Sequence, residues 1–397
     1  MSSLIQEATI KIRQDTSGNW GSENPTPLQG EFCLETDTGK IKIGDGGTLW
    51  NNLIYFLAAA TTPAHYERDI KWAATNHTLT SPDRMSVNIG TRGYLLDTQL
   101  TLNLDTTSNW DDVANKTPGT RAGKDFYIYA CEPASGSEPD IVLSEESTFP
   151  LGGYNADDSR KIGGFHCLCE DVDTIAGHDL TDYVAGDILP ASVWDLNHRP
   201  ASEPEGMVYI DGIDKWMDIY LASWSGTELE SVKGGTIADG TSTKHFHWYK
   251  FVEEFGKIGK QLPMQQEFIP AVKGSPEGTN IVGSTDPGDT GGYDDTTGQR
   301  IISNYGLEDC VGVMFQWGGD TGSDGRSASW VNEYDADANS DNSVAMGQSY
   351  EAPNRPRFGG AWNYGALCGS RCSRWDRSPL GLRTSLGARG VSNPRSR

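Results

Sequence analysis

Apolar and polar residues alternate in short runs near the start of the chain. Ala8–Arg13 reads Ala-Thr-Ile-Lys-Ile-Arg and Gly39–Gly44 reads Gly-Lys-Ile-Lys-Ile-Gly, the period-two pattern of half-buried strands. Asn, Pro and Gly turns are expected between them. Trp20 and Trp50 are too large to stay exposed in so small a unit, and a section ending near Phe56 rarely buries enough apolar area alone. It is therefore expected to pack against copies of itself. Leu57–Pro63 reads as a connector. Beyond it, Asp125–Ala130, Asp140–Ser144 and Lys161–Val172 are β-type runs spaced by turn-formers, as in a β-sandwich, with no helical periodicity of any length.

After Leu189-Pro190 the texture changes. Gly206–Asp211 and Trp216–Ala222 read as strands. Trp248, Phe251, Val252, Phe255 and Ile258 fall at helical spacing ahead of Gly259, and Pro263–Lys273 reads as a second helix closed by Gly274. From there the chain is mostly Gly, Asp, Ser and Asn with scattered Trp and Tyr. Long polar loops held by aromatics describe a domain whose loops carry its function.

Composition narrows the function. A formal net charge of −23 lacks the basic footprint of nucleic-acid binding. No stretch approaches the ~20 apolar residues of a bilayer span. The start carries neither the basic nor the apolar region of a signal peptide. Seven cysteines show no disulfide-framework spacing, which suits folding in a reducing cytoplasm. Against the net charge, residues 355–397 hold nine Arg and a single acid, Asp376. A local positive face for an acidic partner is expected from Arg374, Arg377 and Arg383. Arg371 and Arg389 are instead expected to bond buried carbonyls and hold loops.

Other candidate chemistry is weaker. Asp335, Asp337, Asn339 and Asp341 set oxygen ligands at every second position, as a calcium loop begins. But Ser340 stands where the tight turn wants Gly, and Met346 where the bidentate Glu belongs. A solvated acidic loop is the expected reading and a structural Ca²⁺ the alternative; no other cofactor is expected. His245/His247 and Cys167/Cys169 lack a second pair at zinc spacing. Cys368 and Cys372 have no basic partner or metal pattern to activate them. No nucleophile elbow, phosphate loop or metalloprotease motif occurs.

Two resemblances then bear on the whole chain. Arg13-Gln-Asp-Thr16, Trp20, Asn24-Pro25, Gly30-Glu31, Glu35-Thr-Asp-Thr-Gly39, Lys42-Ile-Gly-Asp-Gly46 and Trp50-Asn51 resemble the small β-prism module that opens phage tropism determinants and many tail-fibre proteins. That resemblance implies a trimerising module. Gly206-Met-Val-Tyr-Ile-Asp211, Asp218-Ile-Tyr220 and Gln261–Phe268 are similar to the C-type-lectin-like domain shared by formylglycine-generating enzymes and the variable proteins of diversity-generating retroelements. Phe358-Gly-Gly-Ala-Trp362, Gly369-Ser-Arg371, Trp375 and Gly387-Ala-Arg-Gly-Val391 resemble the terminal variable region of the phage major tropism determinants. The implied fold is mainly β with some α: a β-prism over 1–57, a central β-sandwich over 58–187, and a C-type-lectin-like α+β domain over 188–397 with its variable region at about 355–397.

The function implied is display rather than catalysis: a homotrimer at the tail-fibre tip of the virion, made in the host bacterial cytoplasm. It would bind a host-cell surface protein or glycan and other tail-fibre proteins, without nucleic acid or membrane insertion. The rewritten, receptor-binding positions would be Ala361, Asn363, Gly365, Leu367, Arg374, Asp376, Arg377, Gly381, Arg383, Ser385 and Leu386. The first four alternate with Trp362, so a strand-like path is expected to put them on one face. Two alternatives stay open: an enzyme of the formylglycine-generating type acting on peptide or polysaccharide, and an inert structural tail protein.

Overall fold

The computed structural model describes residues 12–56, 71–90, 92–112, 117–136, 138–241, 243–322, 330–334, 345–350 and 354–395. The first section is built on two stacked indoles. Trp20 and Trp50 lie 4.3 Å apart between ring centroids and, with Cys33, form a small core cluster among the described residues. Arg13–Asp15 pairs in parallel with Phe32–Glu35, which pairs antiparallel with Ile41–Ile43. The expected strand Ala8–Arg13 lies mostly outside the described residues. A helix, Ser17–Glu23, stands where only turns were expected; the Thr16 hydroxyl accepts from the Asn19 N–H and caps it. Seven residues are too few for the pattern to reveal a helix, but enough to lay Trp20 on Trp50.

The middle section has a four-stranded sheet in the order Asp140–Ser144, Asp125–Cys131, Ser159–His166, Trp194–Asp195. Across from it lie a small sheet, Ala73–Ala74, Thr78–Thr80 and Thr101–Asn103, and the hairpin Met85–Ile89/Arg92–Leu96. Leu79, Val87, Tyr94 and Leu102 from these meet Phe126, Ile128, Ile162 and Phe165 from the larger sheet in one core. The run expected to extend to Val172 leaves the sheet after His166. Leu168, Cys169 and Val172 pack into the core of the next section instead. Ile188 and Val193 then return to the middle core, so the two sections interlock rather than meet at a cut.

The last section carries the predicted elements: strands Met207–Ile210 and Lys215–Asp218, paired antiparallel, and helices Trp248–Lys257 and Gln265–Ala271. The first helix buries Phe251 and Phe255 and leaves Val252 partly exposed. Val391–Ser392 adds the third strand, beside Lys215–Asp218. Ser392 is buried there, held by pairing with Trp216 rather than by an apolar side chain. A four-stranded sheet runs Ser373–Arg377, Arg355–Phe358, Phe315–Trp317, Leu386–Gly387, and Trp330–Tyr334 pairs with Ala345–Tyr350 as a hairpin.

One seam joins the last two sections. His166 Nδ1 lies 2.9 Å from Asp125 Oδ1 and its Nε2 3.0 Å from the Tyr220 hydroxyl. Asp125 Oδ1 also accepts from the Gly206 N–H at 3.1 Å. Gly206 has φ +63°, and a Cβ there would sit 2.1 Å from the Ser231 carbonyl oxygen. Both its conformation and its crowding require glycine.

Candidate functional site: an arginine-rich edge strand

Ser373–Arg377 is an edge of its sheet, so one side of its backbone and much of its side-chain surface face outward. Trp375 is 36% exposed, and its Nε1 donates to the Ser373 hydroxyl. Arg374 Nη1 donates to the Tyr364 hydroxyl at 2.8 Å. Tyr364 in turn packs edge-on against buried Phe315, 4.7 Å between centroids. Asp376 accepts from Arg374 and, at 3.0 Å, from Arg357 Nη2. Burial acts to raise the Asp376 pKa, but the hydrogen bonds from Arg374 and Arg357 prevail and hold it at about 2. The carboxylate thus serves as the anchor of a cationic face.

Register sharpens this picture. Arg355 stands opposite Arg377 and, across a bulge, Arg357 stands opposite Arg374. Arg357 is buried and lies over the Phe315 ring, while Arg355 lies 4.0 Å over the Trp248 ring. Burial first, then the charges of Arg357 and Arg383, pull the Arg377 pKa down.

Beneath the strand, the fully buried Arg389 is a plug. It donates to the carbonyl oxygens of Asp218 (2.6 Å), Ile219 and Glu308, and its Nε donates to Gln316 Oε1 at 3.2 Å. This is the loop-holding role its sequence context predicted. Arg371 is a correction: it is exposed and does not enter the core.

Of the eleven expected contact positions, Asn363, Leu367 (69% exposed), Asp376 and Arg383 are exposed, and Gly365, Arg374, Arg377, Gly381 and Ser385 are half-buried. Ala361 and Leu386 are fully buried among Phe315, Trp317 and Phe251. They are corrected to core positions, because neither side chain can reach a partner. The strand-like path through 361–367 is corrected as well. The chain turns after Ala361, and Gly365–Leu367 is a single 3₁₀ turn; Gly365 at φ +50° breaks any alternation. Nothing lies within 4 Å of a Cβ built at Gly365, whereas one at Gly381 would press on the flexible Arg377 Cδ at 2.3 Å. Trp375 and Arg355, which lie at the same edge, were not among the expected contact positions. The signal that could have found them is aromatic and arginine residues sharing one short run.

Other candidates resolve simply. His247 caps its helix, its Nδ1 accepting from the Lys250 N–H. Burial pushes the Cys368 thiol up to about 12 and raises that of Cys372. Among the described residues no group of three His, Cys, Asp or Glu side chains is placed to hold a metal. The Asp335–Asp341 run lies outside them.

Comparison with known proteins gives the family of the chain. Residues 71–195 match the family described as the Mtd second domain, and residues 10–48 that described as the Major tropism determinant N-terminal domain. The tail fiber receptor-binding protein of Bordetella phage BPP-1 is 33% identical over 302 residues, covering 70% of this chain and 74% of that protein. The chain belongs to the major tropism determinant family. Solved structures of that family share its fold, mainly β with few helices and C-type-lectin-like. The Major Tropism Determinant U1 Variant matches at 24% identity with a TM-score of 0.68, over 97% of this chain and 99% of that one. The M1 Variant matches at 23% identity, with the same TM-score and coverage.

Proposed function

We propose that this tropism determinant is the receptor-binding protein of a phage tail-fibre tip, and that its 363–385 surface recognises a host-cell surface molecule. The observation that carries the reading is the edge strand Ser373–Arg377. It exposes Trp375 and Asp376 between half-buried Arg374 and Arg377, at the edge of a sheet whose next-but-one strand, Phe315–Trp317, is tied to the core by Arg389 through Gln316. Exposed Trp and Arg on a rigid support are what binding hot spots are made of. The relative from Bordetella phage BPP-1 bears the name of that activity.

In this reading the contact positions are Asn363, Gly365, Leu367, Arg374, Asp376, Arg377, Gly381, Arg383 and Ser385, together with Trp375. Diversification would rewrite side chains here without touching the core. The chain acts as a homotrimer joined through its first section, on the virion, with other tail-fibre proteins as neighbours. Support for the trimer comes from the small cluster of Trp20, Cys33 and Trp50 among the described residues and from exposed Ile12, Leu28, Phe32, Leu49 and Phe56, an apolar surface that a further copy of the section could cover. Its seven cysteines are free, which suits assembly in a reducing host cytoplasm. The mechanism is reversible binding; the raised thiols of Cys368 and Cys372 oppose a cysteine nucleophile.

The test is adsorption of the purified chain to candidate host cells, against a folded variant with Asn363, Arg374, Asp376, Arg377 and Arg383 all changed to Ala. Adsorption lost only in the variant is the expected result. Equal adsorption would move recognition elsewhere, and adsorption by neither would favour an inert cap.

A further inference from the structure

Resting on the receptor-binding reading above, we propose that Glu277 and Asn280, which lie outside the 363–385 surface, are positioning residues for recognition. They grip the loop from Trp362 to Ser370 by its backbone, so Asn363 and Leu367 are presented in one shape whatever side chains stand there.

The grip consists of three contacts from one short segment. The Asn280 side-chain amide donates to the Trp362 carbonyl oxygen. The Gly278 N–H donates to the Cys368 carbonyl oxygen at 2.9 Å. The Glu277 carboxylate accepts from the Ser370 N–H through both its oxygens, at 3.2 and 3.0 Å. All three meet main-chain groups, which persist when a side chain is exchanged. A substitution at 363 or 367 therefore leaves the grip in place. The carboxylate comes this close because residue 369 is glycine: a Cβ there would overlap it.

The segment that grips is itself moored. Ile281 is buried in the core that holds Phe268 and Phe358, and its N–H donates to the Gly312 carbonyl at 3.0 Å. The Gly312 N–H donates in turn to the Gly359 carbonyl at 3.1 Å, just ahead of the gripped loop. Asn280 is buried, and its amide also donates to the Ser284 hydroxyl at 2.9 Å, which fixes its orientation. A little further on, Thr384 hydrogen-bonds the Asp286 carboxylate, so the same stretch reaches the contact positions Arg383 and Ser385 as well. Between its holds the loop leaves Asn363, Ala366 and Leu367 exposed. A loose loop loses conformational entropy when it binds, and holding it beforehand removes that cost. The gain appears mainly as slower dissociation, as in matured antibody loops.

Hydrogen exchange of the full chain over residues 362–372, measured beside its release from host cells to which the wild type adsorbs, tests this. Glu277 is exposed, so Glu277→Ala should unfold at the wild-type temperature. Its loop amides should exchange about tenfold faster and the chain should leave the cells about tenfold faster, the scale of one charge-assisted hydrogen bond. Glu277→Gln keeps an acceptor oxygen and should restore most of both. Asn280→Ala should speed both at some loss of stability. Asn363→Ser/Leu367→Ser should exchange at the wild-type rate, whatever becomes of its adsorption. Unchanged exchange in Glu277→Ala overturns the grip, and faster exchange with unchanged release overturns its part in recognition. Faster exchange in Asn363→Ser/Leu367→Ser overturns its independence of side chains. Failure of the receptor reading looks different: the wild type adsorbs to no host cell, while Glu277→Ala still quickens exchange.

Discussion

A single buried arginine, Arg389, donates to three backbone carbonyls, of which that of Ile219 also accepts from the Glu308 N–H. Leaving buried acceptors unpaired costs about 1–3 kcal/mol each. Arg389→Met should therefore destabilise the C-terminal section by roughly 3 kcal/mol or more, read as a lowered denaturant midpoint. Asp376 gives a pH-dependent counterpart. Its folded pKa of about 2 lies below the ~3.9 of an unfolded Asp, so its stabilisation is fully present above pH ~4 and fades as the pH falls toward 2. Asp376→Asn should accordingly be less stable than the wild type by a constant margin at neutral pH, and the two should converge in strong acid. Because the carboxylate is about half exposed, the margin is small. Denaturation curves from pH 7 to pH 2 check both points. Arg389 was legible in the sequence, since a lone Arg within Gly-Ala-Arg-Gly-Val has little but backbone to bond. The burial of Ala361 and Leu386 was not: a short apolar residue among glycines reads the same on either side of a loop.

At the scale of elements, strong periodicity translated directly. The Trp248–Lys257 helix and the Met207–Ile210/Lys215–Asp218 hairpin arise where the sequence placed them, because each presents one clear apolar face. Two short elements without a clear apolar face were not legible, the Ser17–Glu23 helix and the Gly365–Leu367 turn. Their form is decided by what they pack against. That helix exists to seat Trp20, whose Nε1 donates to the Leu34 carbonyl at 3.1 Å. Trp20→Ala should cost about 3–5 kcal/mol, enough to unfold a section whose core cluster, among the described residues, is built on the Trp20–Trp50 stack. Sedimentation would then show the trimer of the proposed assembly falling to single chains while the C-terminal section keeps its near-ultraviolet dichroism.

At the scale of the molecule, charge is segregated. A chain of net charge −23 keeps its densest positive run at residues 355–397, with half-buried Arg374 and Arg377 on one edge strand and exposed Arg371 and Arg383 in the loops around it. Attraction between exposed charges is screened by salt. The adsorption rate of the proposed tip protein should thus fall steadily as sodium chloride rises, while Arg377→Gln/Arg383→Gln loses most of that dependence. The interlocking of the middle and last sections, through Leu168, Cys169 and Val172 in one direction and Ile188 and Val193 in the other, was hidden from a sequence that shows a texture change only at Leu189. Non-local packing leaves no periodic trace.

Val391–Ser392 pairs with a strand made some 170 residues earlier, Trp216 standing opposite Ser392. The arginine that satisfies the central carbonyls lies two residues before it. Everything between residue 363 and residue 385 is therefore translated before the fold can close. A gene copy whose reading frame slips within that stretch yields a chain with neither the plug nor the closing strand, and such a chain cannot complete its sheet. A copy that only exchanges one side chain for another still closes. Closure of the fold thus depends on an arginine and a strand that both follow residue 385.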